Sequence, residues 1–227
     1  MSTNLQLCNL LIQKCGISGG ALSTTANQRG ESARVVQWIA EAWQNIQMSQ
    51  PNWDWMRATC SFQTVAAQGV YTPLQCGIND FYNWKTDSFR RYVSSVGVRS
   101  ENYLDVMGYD DYRDTYLFGN YSLTYGQPTQ IAFAPDLTLN LGLIPDTTVY
   151  TIRGEYFRQP QVMVADGDTP NMPSQFHLLI VYAAMQMYAM YEAAAEVKQE
   201  ADRLYRSMYS RLMRDQLSDA TYASALA

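Results

Sequence analysis

A chain of 227 residues can bury a sizeable core, as one domain or as one domain with extensions. Its hydrophobic fraction of 47% is ordinary, while 16% charged residues is low, which points to a surface partly covered by other chains. The formal net charge of −5 argues against a general grip on nucleic acid, which needs clustered Lys and Arg against phosphates.

The first residues, Met1-Ser2-Thr3-Asn4, lack the basic stretch and apolar core of a secretory signal. Leu5, Cys8, Leu11, Ile12 and Cys15 predict a short amphipathic helix that stops at Gly16. A Gly-, Ser- and Thr-rich loop runs from Ile17 to Gly30. Val35, Val36, Ile39, Trp43 and Ile46 then line a second helix, from about Glu31 to Ser49. Trp53-Asp54-Trp55 is expected to be extended, with both indoles on one face, and to run into a strand through Cys60, Phe62 and Thr64. Gly69, Pro73 and Gly77 break the pattern, and Trp84 to Val98 reads as a further extended region. The acidic, aromatic stretch Met107 to Phe118 predicts a short helix.

From Gln130 to Phe157 the alternation predicts an antiparallel meander with one buried face. Its strands carry Ile131 and Phe133, then Leu137, Leu139, Leu141 and Leu143, then Tyr150, Ile152 and Tyr156. Asp166 to Pro173 is a stiff turn, and Ser174 is the expected N-cap of a C-terminal helix.

From Ser174 to the C-terminus there is neither glycine nor proline. Phe176, Ile180, Ala183, Met187, Met190, Ala194, Val197, Ala201, Leu204 and Met208 recur at 4-3 spacing and form one seam. The pattern predicts a single helix from about Gln175 to Leu217, roughly 60 Å long, which is more than a compact core of this size needs. A narrow seam rich in Ala and Met suits close packing on neighbouring copies, through Ala183, Met187, Met190, Ala194, Val197 and Ala201. Glu192, Glu196 and Glu200 repeat every four residues, as a solvated face or as an acidic stripe toward a partner or an aqueous channel. The segment Ser218 to Ala227 is expected to be flexible in the isolated protein.

The expected class is therefore α+β. A helical framework (1–57 and 168–217) carries a long C-terminal helix and an inserted antiparallel β module (58–167), followed by a flexible tail (218–227). The apolar run Leu178 to Tyr191 is interrupted by Gln186 and falls short of the ~18 residues that span a bilayer, so no membrane partner is expected.

Chemistry-bearing patterns are scarce. No phosphate-binding loop, dinucleotide fingerprint or nucleophile elbow occurs. His177 is the only histidine and reads as structural or solvated. Asp105, Asp110, Asp111 and Asp114 read as a solvated surface rather than a carboxylate pair for glycoside hydrolysis. Asp166, Asp168 and Asn171 have the look of a calcium loop, which Pro170 and the missing downstream glutamate spoil. Cys8, Cys15, Cys60 and Cys76 lack metal-site spacing and read as buried free thiols suited to a reducing cytoplasm. Neither enzyme activity nor a cofactor is expected. Seventeen tyrosines and five tryptophans suit contact surfaces or a tyrosine-rich β core.

The order of short motifs resembles the head-to-tail connector (adaptor) proteins of tailed bacteriophages, the group that includes the podovirus tail accessory factors. The matching residues are Ile46-Gln47, Trp53-Asp54-Trp55-Met56, Phe62, Gly69-Val70-Tyr71-Thr72-Pro73-Leu74, Gly126-Gln127-Pro128, Ile131 to Phe133, Pro135-Asp136, Gly154 to Pro160, Asp168-Thr169-Pro170 and Pro173. The resemblance implies a structural protein of the virion's head–tail interface, assembled in the host cytoplasm as a ring of about twelve copies under the portal. It implies that the long helices pack side by side and that the C-terminal segment (Leu212, Leu217, Tyr222 and Leu226) docks on the portal. The β module would then face a tail nozzle or stopper, and possible fibres or spikes, through the loop carrying Tyr109, Asp110 and Tyr112. The ring would extend the channel for DNA without binding it specifically, and Glu192, Glu196 and Glu200 would face that channel. The competing expectation is another non-enzymatic assembly protein, such as a tail completion or scaffold factor.

Overall fold

The computed structural model describes residues 2–118, 121–122 and 124–217. In chain order the elements are α1 (Asn4–Cys15), α2 (Gly30–Met48), β1 (Arg57–Gln63), β2 (Val70–Tyr71), β3 (Phe81–Val93), β4 (Asn102–Tyr103), β5 (Asp105–Val106), α3 (Tyr109–Tyr112), β6 (Gln130–Phe133), β7 (Leu139–Leu141), β8 (Tyr150–Arg158), α4 (Leu178–Tyr191) and α5 (Ala195–Gln216). The class is α+β, and α5 is the longest helix. Two compact units result: Met1–Met56 with Pro160–Ala227, and Arg57–Gln159.

The helical unit is built around α4. Every residue from Leu179 to Met185 is buried, so this helix is apolar on all sides and needs neighbours on all sides. It finds them in α1, α2 and α5. No described helix is long and apolar enough to cross a membrane. α1 starts with a reciprocal cap between Thr3 and Gln6 and ends at Gly16, which takes the left-handed conformation (φ 64°) that a side chain would resist. α2 contributes Val35, Ile39, Trp43 and Ile46 to the core.

The single helix expected from Gln175 to Leu217 is two. The chain leaves α4 at Glu192, Ala193 takes φ 53°, and α5 begins after Ala194. α5 folds back antiparallel on α4: the Gln186 amide donates to Asp202 (2.9 Å), and Gln175 and Phe176 share a cleft with Arg211, Arg214 and Asp215. The reversal brings Ala201 and Leu212 into the core at zero exposure, burial that a straight rod would forgo. Ser174 does not cap with its side chain; it opens a short 3-10 turn to Phe176. His177 does the fastening there. It is buried, its Nε2 faces the Met172 carbonyl (3.0 Å), and its Nδ1 accepts from the Ser2 amide (3.1 Å). A carbonyl can only accept, so the proton sits on Nε2 and the ring is neutral.

Residues 160–167, expected in the β module, cluster with the helices because Gln47 clasps them. Its Oε1 accepts from the Gln161 amide (2.7 Å), and its Nε2 donates to the Gln161 carbonyl (3.0 Å). Trp53 and Trp55 do share a face, stacked at 4.4 Å, but on a 3-10 turn (Asp54–Met56) rather than an extended segment. Trp53 is anchored by its indole N–H to the Ile46 carbonyl (3.1 Å).

The β unit holds two four-stranded sheets with orders β1-β8-β3-β4 and β2-β7-β6-β5. The expected meander is therefore divided. β6 and β7 form a hairpin in one sheet, while β8 crosses to the other and pairs with both β1 and β3. β7 is central, and Asn140 is buried along with Leu139 and Leu141. The sheets share a core of Phe62, Tyr71, Trp84, Phe89, Ile131, Leu139, Leu141, Ile152 and Tyr156. β3 changes register against β8 between Lys85 and Arg90, and Phe89 lies over Gly154, where an added Cβ would come within 2.5 Å of the ring. The stretch Tyr109–Leu117 is helical, with a wider π turn after α3.

All four cysteines are free thiols. Burial pushes Cys8 and Cys76 up to about 12, and Cys15 and Cys60 up to about 11, so they stay protonated near neutral pH.

Candidate assembly surface

The seam residues separate into interior and surface. Ala183 and Ala201 are buried inside the helical core of the single chain. Met187, Ala194 and Val197 are half-buried, while Met190 is 72% exposed. Beside the seam, α2 and the end of α4 form an aromatic cluster that periodicity did not reveal. The Trp38 ring lies 5.8 Å from both Tyr188 and Tyr191, and the Arg34 guanidinium stacks on Tyr191 at 4.4 Å. Trp, Tyr, Arg and Met are the residue types that dominate protein contacts. The available signal was a tryptophan in α2 just outside its apolar stripe.

The three glutamates do not form one stripe. Glu192 sits at the end of α4, whereas Glu196 and Glu200 lie on α5. Cations are interleaved with them. Arg203 grips Glu200 with two bonds (2.8 and 2.7 Å) and holds its carboxyl below the usual range, and Lys198 pairs with Asp202 (2.9 Å). Toward its C-terminal end the outward face of α5 carries exposed Arg206, Arg211 and Arg214. Acid first and base last complements the helix dipole.

Leu212 is fully buried and packs α5 on the helical core, and Leu217 is half-buried. Tyr222 and Leu226 lie outside the described residues. Tyr112 also points inward, its hydroxyl donating to the Leu141 carbonyl (3.4 Å). Tyr109 is half-buried, and Asp110 is exposed and paired with Arg113 (2.9 Å). The exposed aromatics of this region are Phe118, Tyr121 and Tyr125.

The short motifs turn out to be clasps. Asp80 accepts from the Tyr156 hydroxyl (2.8 Å), pairs with Arg158 (3.4 Å) and receives the Gln159 amide on its carbonyl (2.7 Å). Tyr71 accepts from the Val65 amide and donates to the Gln68 carbonyl, closing the turn that contains Gly69. Gln127, with its amide oxygen toward the guanidinium, accepts from buried Arg91. Gln161 donates to the Thr169 carbonyl (3.0 Å). Asp168 accepts from the Val164 and Ala165 amides and Asp166 from Thr25, so the calcium-like loop is a turn that satisfies itself.

A polar cleft of about 410 Å³ lies across β1, β8, β3 and β4. Its charges are mutually paired: Arg57 with Glu155, Lys85 with Asp87, and Arg90 and Arg153 with Glu101. Its serine, Ser88, donates to the Lys85 carbonyl and accepts from the Glu155 amide, which leaves it no base. Among the described residues no group of three or more metal-ligating side chains converges. These features build and brace a framework.

The chain matches the family described as SU10 adaptor protein over residues 18–227. It belongs to that family, a family of phage head–tail adaptors. The match takes in α2, the whole inserted β unit and both C-terminal helices. A comparison with curated proteins found no match. The protein is thus a structural phage adaptor, and the clasped motifs are what keeps the adaptor's turns in register.

Proposed function

We propose that this adaptor is a non-enzymatic component of the virion that assembles as a ring of about twelve copies between the portal and the tail nozzle or stopper, extending the DNA channel. The family match, running through both compact units, carries the proposal. Three features support it. The patch of Arg34, Trp38, Tyr188 and Tyr191 has the composition of a protein contact. Phe118, Tyr121 and Tyr125 give the β unit a second apolar surface, the one proposed to meet the tail in place of Tyr112. The net charge of −5 suits a conduit that does not hold DNA by its phosphates. Portal docking is assigned to the C-terminal segment from Leu217 onward.

Native mass spectrometry of the adaptor alone and with portal tests this reading. A small species alone and a portal-bound ring of about twelve is the expected pair of results. An adaptor that neither binds portal nor closes into a ring contradicts it and favours a tail completion or scaffold role. Deletion of 217–227 should leave the fold intact and abolish portal docking; docking that persists moves the portal site elsewhere.

A further inference from the structure

The turn between α4 and α5 is made from the wrong residues for a permanent turn. Tyr191-Glu192-Ala193-Ala194-Ala195-Glu196 contains the strongest helix formers, without glycine, proline or asparagine. Yet Ala193 takes a left-handed conformation (φ 53°), and α5 starts without a side-chain cap. The same chain closes α1 with a left-handed glycine, Gly16. The 4-3 seam also passes through the break in phase, from Met187 and Met190 to Ala194, Val197 and Ala201. In the folded-back form that seam is interrupted, and Met190 lies 72% exposed. Local preference and amphipathic phase both favour a continuous rod. What opposes it is the packing of α5 on the helical core, through Ala201, Leu212 and the Tyr209 contact with Trp53.

We infer that Glu192–Ala194 is a hinge, and that on self-association α4 and α5 straighten into one helix so that each copy's α5 fills the α5 site of the next copy. This rests on the proposed ring. The exchange leaves the core contacts of α5 in place but makes them between chains, and it releases the left-handed alanine. Passed head to tail around a closed ring, the exchange leaves no site empty and no helix without a site. The two forms differ greatly in one internal distance. Gln175 and Arg214 are exposed and line the same cleft when α5 folds back. In a continuous helix they stand roughly 60 Å apart.

The test places fluorophores at Q175C and R214C in a C15S background, where the remaining thiols are buried and protonated. Energy transfer is followed at rising protein concentration and after addition of portal rings. Doubly labelled chains diluted into unlabelled protein report the intrachain distance, and mixed singly labelled chains report the interchain one. The expected result is high intrachain transfer in the monomer, with its loss and the gain of interchain transfer in the ring. A ring that keeps its intrachain transfer overturns the exchange and leaves the adaptor ring standing. Loss of intrachain transfer without interchain gain also overturns it. A protein that stays monomeric even with portal overturns the exchange and the ring together. A193G separates the hinge from the rest of the fold, because glycine favours the left-handed turn and disfavours the rod. It should raise the concentration of half-assembly on the order of tenfold to a hundredfold. Unaltered assembly by that variant contradicts the hinge.

Discussion

Gly154 shows how tightly single residues are specified. A methyl group there would meet the Phe89 ring, which is itself held between Trp84 and Phe133, so nothing nearby can yield cheaply. G154A should therefore destabilise the β unit by about 1–3 kcal/mol, read as a lower denaturation midpoint. A midpoint equal to wild type would show that the ring can move. His177 makes a different demand, because burial lowers its pKa from the ordinary 6.5. Below that value the unfolded chain takes up a proton that the folded chain refuses. The stability contributed by the neutral ring is complete above about pH 6.5 and falls away as pH drops through the folded value. Denaturation from about pH 7.5 to about pH 5 should show this decline in wild type and a shallower one in H177Q; equal slopes would exclude the histidine as its source. A lone histidine in the first turn of a C-terminal helix was legible as structural or solvated, and it is buried. Its two bonds were not, because Ser2 and Met172 are brought to it only by the fold.

At the level of elements, α1 was legible because its periodicity and the stop at Gly16 agreed, and α2 from its periodicity alone. The C-terminal hairpin was not legible. Every local rule in Glu192–Ala195 favours continuing the helix, and only the burial of Ala201 and Leu212 reverses it. β8 was misplaced for a related reason. Alternation specifies which face a strand buries but not which sheet it joins, and β8 pairs with strands distant in sequence. Leu212 now belongs to the fold. L212A should cost about 2–5 kcal/mol and loosen α5, seen as faster amide exchange along that helix. Full stability with lost portal docking would return Leu212 to the docking surface.

For the whole molecule, the low charged fraction pointed to covered surface, and the Trp38–Tyr191 patch and the exposed rings of Phe118, Tyr121 and Tyr125 are where cover is missing in one chain. Neither patch comes from periodicity, since each is assembled from residues outside the apolar stripes. Substituting W38A with Y191A on the first patch should leave the monomer's melting within a few degrees of wild type and weaken assembly by on the order of tenfold or more, measured by sedimentation. Unchanged assembly would remove that patch from the contact.

The insertion of one unit within the other has a consequence for synthesis. α1 and α2 leave the ribosome before the β unit, but α4, the helix they are built to surround, emerges only after it. At ordinary elongation rates the delay is on the order of ten seconds. The β unit holds all its strands once β8 has emerged and can fold during translation. The apolar faces of α1 and α2 must wait for α4, so the nascent chain is most vulnerable to aggregation and proteolysis along those two early helices.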